Sequence, residues 1–352
     1  MTELTSQTAL AYLRDRSWIG PGPAQVEPLG GGVSNLVLRV VSEERTFVLK
    51  QSRPQLRTRD PWFSDLDRIY REQEVVQALA PVLPDVVPQV LFVDRDNYVY
   101  AMSSAPPDAV SWKAELLAGS IDLSMGERAG QVLAVIHGVS ARTDDFRTRF
   151  SDLTVYDQLR IDPFYRRVQE RRPEVGDAVA EIVVQMLTVK EALCHGDYTP
   201  KNFLVPPPAN AGGSLAGGSL ARGSPFTLVD YETAHFGDPT MDLGLFTAHI
   251  MLKAARLPAR RHDYHRLTQA FWRGYSQHGT YRPADELEQR GVQHLGALLL
   301  ARIDGTSPVE YLPEEEKRDA VRRVGRQILQ WGIGRWEDAW SCAESELSEP
   351  EA

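Results

Sequence analysis

The run ALCHGDYTPKNFLV, residues 192–205, sets a short polar segment between two apolar ones. The apolar flanks read as buried strands, and a loop between buried strands is a rigid place to hold polar groups. His195, Asp197 and Asn202 in that loop are therefore candidates for chemistry. Metal-dependent hydrolysis wants a second His close to His-x-Asp, and none is near. A nucleophile triad wants a Ser or Cys on a G-x-S-x-G elbow, which the chain lacks. Phosphoryl transfer wants a carboxylate near the attacking hydroxyl and oxygen ligands that hold Mg²⁺ on the phosphates.

The third chemistry makes further demands, and the sequence meets them in order. Asp197 to Asn202 is a step of five, the step between Asp and Asn in H-R-D-L-x-x-x-N. A second metal-binding Asp should end a nearby strand, and Asp230 ends FTLVD. A Gly-rich turn inside a hairpin should cover the phosphates, and Gly30, Gly31 and Gly32 with Ser34 and Asn35 fit that place. Lys50 closes the next strand, FVLK, where it can reach the phosphates. A helix expected over 64–80 carries Leu66, Ile69, Val76 and Leu79 at helical spacing. Glu72 falls on that inward stripe and Glu74 off it; a carboxylate on the packed side needs a partner, and Lys50 is the one expected.

The rest of the chain divides by pattern. A helix is expected within residues 1–20, ending near Gly20, followed by strands around Leu36–Val40, FVLK, VPQVLFVD and NYVYAM. This makes 1–105 a small, mostly antiparallel lobe with one long helix. From Trp112 the pattern turns helical, and 106–342 is expected as a larger, mainly helical lobe. Ser124 and Glu127 read as a capping box before a helix ending near His137, and another helix is expected at 175–187. PPPANAGGSLAGGSLARGSP, residues 206–225, reads as a flexible insertion between two strands. Residues 343–352 read as an acidic tail.

Composition narrows the partners. The 352 residues carry a formal charge of −9 with no Lys/Arg block, which argues against a nucleic-acid surface. Two cysteines, Cys194 and Cys342, make neither a disulfide framework nor a metal cluster. No apolar run approaches the roughly 20 residues of a membrane span. The expectation is a cytoplasmic protein with no membrane partner.

HGDYTPKNFLV, LVDYETAHFGDPTMDLG and AGQVLAVIHG together resemble the aminoglycoside phosphotransferase and choline kinase family. The Gly loop and FVLKQS are similar to those of methylthioribose kinases and homoserine-kinase-like members. The resemblance implies an α+β, bilobal, protein-kinase-like fold and an ATP- and Mg²⁺-dependent kinase of a small hydroxyl compound: an aminoglycoside, amino-alcohol, sugar or thiosugar. It implies Asp197 as the catalytic residue, Asn202 and Asp230 as Mg²⁺ ligands, and Lys50 on the nucleotide phosphates, paired with Glu72. It implies His195 as a scaffold residue and Asp242 as the brace of the catalytic loop. The rival reading is an inactive kinase-like nucleotide-binding or scaffold protein.

The chain departs from the pattern in three places. DYE replaces D-F-G, so Glu232 either assists the metal or pairs with a nearby Arg. Only eleven residues separate Asp230 from Asp242, which leaves no room for a long activation loop and disfavours a protein substrate. Lys201 sits where relatives carry a small residue, and solvent is its expected surrounding. Acceptor specificity is expected at 145–175 and 245–312. Arg302 and Asp304 in ARIDGTSPVEYL are open to two readings, a substrate contact or a local ion pair at a helix end. Trp112, His235 and His249 are further pocket candidates.

Overall fold

A computed structural model describes residues 3–30, 35–55, 63–206, 226–279 and 281–347. Gly31, Gly32, Ser34, nearly all of the 206–225 insertion and the end of the acidic tail lie outside the described residues. The chain divides into two compact units. One comprises Met1–Val110 with Phe203–Glu232, the other Ser111–Asn202 with Thr233–Ala352. The strand pair that flanks the insertion, Phe203–Val205 and Thr227–Leu228, thus belongs with the N-terminal unit rather than to a continuous 106–342 lobe.

The first unit is built on a five-stranded antiparallel sheet: β1 (Ala24–Pro28), β2 (Asn35–Ser42), β3 (Thr46–Ser52), β4 (Val90–Asp94) and β5 (Val99–Ser103), in the order β1-β2-β3-β5-β4. Strand side chains alternate between faces. Phe47, Leu49, Val99 and Ala101 lie on one face and pack with Ala9, Tyr12 and Leu13 of α1 (Ala9–Asp15). Val48, Tyr100 and Met102 point the other way, against Ile69 and Tyr70 of α2 (Arg68–Leu79). Lys50 follows Val48 by two residues and so shares the face that α2 covers. Helix α1 is shorter than expected, and α2 starts at Arg68. The carbonyls of Ser64 and Asp65 accept from the Arg68 guanidinium at 3.1 and 2.9 Å, so a side chain reinforces the turn that leads into α2.

The second unit is mainly helical, built around α3 (Leu123–Ala141), α4 (Thr240–Arg256), α5 (Arg261–Ser276), α6 (Ala284–Asp304) and α7 (Glu315–Gln330). Helix α3 crosses α5 at glycines. A Cβ on Gly130 would stand 2.1 Å from the Phe271 carbonyl oxygen, and one on Gly274 2.1 Å from that of Glu127. The two backbones approach so closely that any side chain there costs about 1–3 kcal/mol or more. The expected cap of α3 is corrected. Asp122 is the cap, extended at φ −106° and ψ 112°, and its carboxylate accepts from the Ser124 N–H. Ser124 already lies within the first turn, where it cannot serve as cap. Helix Gly176–Thr188 matches expectation, and helix Trp336–Glu346 runs into the segment expected to be tail. Strand Ala192–Cys194 pairs antiparallel with His235–Gly237 and delivers the HGDYTPKN loop. Among the described residues no helix is long and apolar enough to cross a membrane.

Candidate active site

In the first unit, Lys50 is buried on β3, opposite Val37 of β2 and Tyr100 of β5. Its Nζ lies 2.7 Å from Glu72 Oε1 and 3.2 Å from Asp230 Oδ1. Glu72 is fully buried and also accepts from the Tyr231 N–H at 3.3 Å. Burial lowers the basicity of Lys50, but the charges of Glu72, Asp230 and Glu232 outweigh it and hold the ammonium above its ordinary range. Burial pushes Glu72 up to about 7, against the pull of Lys50 and with the help of Asp230 and Glu232. Asp230 lies beyond the short strand Thr227–Leu228, at φ 73°. Asp is among the few residues that adopt this left-handed conformation, because its short side chain can hydrogen-bond locally.

Glu232 answers the question its sequence left open with an arginine partner. Its Oε2 lies 3.2 Å from Arg68 Nε and accepts from Asn35 Nδ2 at 3.0 Å. Arg68 is fully buried and also donates to the Arg53 carbonyl at 2.8 Å. Asn35, at the start of β2, is therefore fixed from α2 and from the Asp230 segment. Among the described residues, nothing stands within 4 Å of where a Cβ on Gly30 would be.

In the second unit, the Asp242 carboxylate accepts from the backbone N–H groups of His195 at 2.6 Å and Gly196 at 2.9 Å. Burial would raise its pKa, but His137, 3.4 Å away, and the His195 N–H hold it below the usual carboxylate range. Asp242 thus does brace the loop. Gly196 has φ 74°, and a Cβ there would stand 2.5 Å from the Thr233 carbonyl oxygen, so no other residue fits. His195 Nδ1 accepts from the Asp197 N–H at 3.2 Å, a backbone-shaping role.

Asp197 itself is held from two sides. Asn202 Nδ2 donates to its Oδ2 at 2.9 Å and to its carbonyl at 2.8 Å. Arg160 Nη2 lies 3.0 Å from its Oδ1, while Arg160 Nε donates to the Gly196 carbonyl at 2.7 Å. The Asn202 nitrogen is committed to Asp197, which leaves the amide oxygen as its atom for a cation. Among the described residues no group of three or more His, Cys, Asp or Glu could hold a metal. Asn202 in the second unit and Asp230 in the first each offer an oxygen donor of the kind a hard cation takes.

The model of the phosphotransferase enzyme family (APH) matches residues 25–287. The chain belongs to this family. A methylthioribose kinase of Exiguobacterium sibiricum is 26% identical over 277 residues, covering 71% of this chain and 67% of that protein. Methylthioribose kinase 2 of rice (Oryza sativa subsp. japonica) is 22% identical over 255 residues, covering 64% of this chain and 56% of that protein. The phosphotransferase thus spans about two thirds of its bacterial relative and little more than half of the plant one. Among solved structures, a protein of Ralstonia eutropha JMP134 assigned as an aminoglycoside phosphotransferase is similar with TM-score 0.56 at 16% identity, covering 97% of this chain and 99% of that one. An amicoumacin kinase in complex with AMP-PNP, Ca²⁺ and Ami is similar with TM-score 0.54 at 13% identity, covering 92% of this chain and 94% of that one. At these identities the likeness is one of fold: α+β and kinase-like.

Two residues that hold this phosphotransferase's candidate residues, one in each unit, escaped the sequence. Arg160 lies on a π-helical stretch, Asp157–Arg166, that contains Pro163 and shows no plain helical period. Arg68 lies on the buried face of α2, where an arginine looks like an error until its partners are known. The remaining candidates separate. Lys201 is exposed, as expected. Trp112 is buried, and His235 stacks on Tyr156 at 3.6 Å. Asp304 takes the local reading, bound by Arg172 at 2.7 Å and Arg322 at 2.9 Å. Arg302 has no carboxylate partner among the described residues.

Proposed function

We propose that this protein transfers the γ-phosphoryl group of ATP, with Mg²⁺, to a hydroxyl of a small molecule. The observation that carries the reading is the buried Lys50, ion-paired with Glu72 and reaching Asp230. A buried cluster of one lysine and two carboxylates is a poor device for stability, since well-packed apolar residues of similar volume often do as well or better. It is the arrangement that kinase chemistry needs: a lysine aimed at phosphates, held by a helical glutamate, next to a metal-binding aspartate.

Each residue then has a task. Lys50 receives nucleotide phosphate oxygens while Glu72 keeps its ammonium in place. The backbone at Gly30, with Gly31, Gly32 and Ser34, would cap the phosphates, and Asn35 would steady that turn. Asn202 and Asp230 would hold Mg²⁺, which supplies charge neutralisation on the phosphates. Asp197 accepts or orients the acceptor hydroxyl proton, its carboxylate aimed by Asn202 and Arg160. Glu232, engaged by Arg68 and Asn35, would support this set rather than hold the metal itself. Most of the rate gain comes from positioning and electrostatics. The acceptor classes are those of the family, among them the thiosugar named in the methylthioribose kinases. A kinase drawing on ATP would act in the cytoplasm.

The test is ADP release from Mg-ATP over a panel of hydroxyl acceptors, with Asp197→Asn beside the parent protein. Acceptor-dependent release that disappears in a folded Asp197→Asn protein supports the reading. Failure of the parent protein to bind Mg-ATP at all would sink it.

A further inference from the structure

Away from the nucleotide-binding residues, the second unit gathers cations that its own carboxylates do not match. Two aromatic rings organise them. Arg160 and Arg302 each set a guanidinium over the Phe164 ring, at 5.6 and 5.5 Å from its centroid. Lys113 and Lys253 each set an ammonium near the Tyr311 ring, at 5.2 and 5.5 Å. Arg160 is matched by Asp197, and Lys113 by Glu310. Lys253 and Arg302 have no carboxylate partner among the described residues.

Neither is an ordinary solvated charge. Lys253 is 1% exposed, and its Nζ donates to the His249 carbonyl one turn back, at 2.9 Å, with no carboxylate in reach among the described residues. Arg302 Nε and the Tyr311 hydroxyl are both out of water with no hydrogen-bond partner among the described residues. Buried polar groups without partners are rare and costly. Here two such groups, Arg302 Nε near the end of α6 and the Tyr311 hydroxyl just beyond it, collect beside Lys253 of α4, a buried amine with no carboxylate partner among the described residues. Through Phe164 and Arg160 the cluster connects to Asp197.

We propose that the acceptor phosphorylated by this enzyme carries an anionic group, a carboxylate or a phosphate ester, and that Arg302 and Lys253 bind it beside Asp197. The proposal rests on the kinase reading and adds the acceptor's charge to it. An anion at this point gives Arg302 and Tyr311 the acceptor they lack and neutralises the excess positive charge. Cationic acceptors such as aminoglycosides and choline would meet two uncompensated cations in a desolvated setting. The electrostatics agree. Burial, with Lys113 and Arg302 nearby, pushes Lys253 down to about 7. Burial and the charges of Arg302, Lys253, Lys113 and Lys201 keep His249 well below its ordinary range. The cluster resists further positive charge and accepts negative charge.

The experiment is calorimetric titration of the full chain, without nucleotide and at matched ionic strength. The probes are D-glycerate and D-gluconate, then glycerol 3-phosphate, against glycerol, methylthioribose, choline and kanamycin. The parent protein is compared with Arg302→Gln and Lys253→Met. The expected result is binding confined to one or both anionic arms, the carboxylates and the phosphate ester telling the two sources apart. Arg302→Gln should weaken it roughly tenfold or more. Lys253→Met should weaken it too while raising the thermal midpoint by roughly 2–4 °C, because it removes a buried, unpaired charge. A merely structural lysine would not give those opposite signs. Binding of neutral or cationic probes instead, no binding by either anionic arm, or anion binding unchanged in both variants would overturn the proposal. A loss of turnover in Arg302→Gln at unchanged acceptor affinity would also overturn it, assigning the guanidinium to the transferred phosphoryl group. ADP release from Mg-ATP, read in parallel, separates the two layers. Turnover of a neutral acceptor untouched by Arg302→Gln keeps the kinase and removes the anion site. Anion binding without any ATP binding does the reverse.

Discussion

Two charge clusters in this protein are built on opposite plans. Around Lys50, the carboxylates of Glu72, Asp230 and Glu232 meet two cations, Lys50 and Arg68, and each carboxylate has an ion-pair partner. Around Phe164 and Tyr311, four cations meet the carboxylates of Asp197 and Glu310, and two of the cations go unmatched. The first cluster is closed by the protein itself, so breaking it should unfold as well as inactivate. The second is left open, so removing its unmatched members should spare the fold and change what binds. Unmatched buried charge marks where a ligand's own charge belongs.

The sharpest way to break this contrast is at Asp197, which has the largest expected effect. Asp197→Asn should lower turnover about 10³-fold with little change in thermal midpoint; a large loss of stability would make Asp197 structural. Next comes Lys50→Met, which leaves Glu72 buried without its cation. We expect a loss of about 3–5 kcal/mol in urea unfolding at pH 8. The sign with pH follows from Glu72, whose folded pKa lies above its unfolded one. Its contribution is present below the unfolded value and is lost as pH rises through about 7. The Lys50→Met penalty should therefore shrink at pH 5, where Glu72 takes up a proton. A penalty independent of pH would count against a charged Glu72 as the cause.

Asp242→Asn should cost about 2 kcal/mol, since charge-assisted hydrogen bonds from two buried N–H groups are weakened. Asp242 is depressed, so its stabilising contribution exists above the ordinary carboxylate range and fades as pH falls below it. The difference between parent and variant should close in acid; a constant difference would point to packing. The smallest effect is expected at Asp94, where hydrogen bonds from Tyr12, Asn97 and Arg16 overcome burial and bring the pKa to about 2. Asp94→Asn should remove the part of acid unfolding that occurs between about pH 4 and pH 2. Unchanged acid unfolding would deny that ion pair a role.

Sequence showed more of the first cluster than of the second. Glu72 sits on an apolar stripe, so period alone put it on a covered face, whereas Lys50 was picked out by closing the strand that precedes that helix. Asp197 and Asn202 stood in a dense motif whose spacing reflects one tight loop, and Asp242 in a second motif, GDPTMDLG. Arg68 and Arg160 were invisible because a buried arginine is defined by partners distant in sequence: Glu232 lies 164 residues from Arg68. Lys253 and Arg302 fall within the span expected to choose the acceptor, but only tertiary packing shows that nothing answers their charge. Boundaries failed where two residues compete for one role. Asp122 and Ser124 are both good caps, and the extended backbone at Asp122 decided between them.

The left-handed backbone at Asp230 limits how this enzyme could lose its activity. Most substitutions there would injure the chain geometry as well as the chemistry, and so would disappear with the unfolded protein. Asn and Gly alone can adopt that conformation at low cost. A descendant retired from catalysis but kept as a folded protein should therefore carry one of these two residues at position 230, and that residue would mark its retirement.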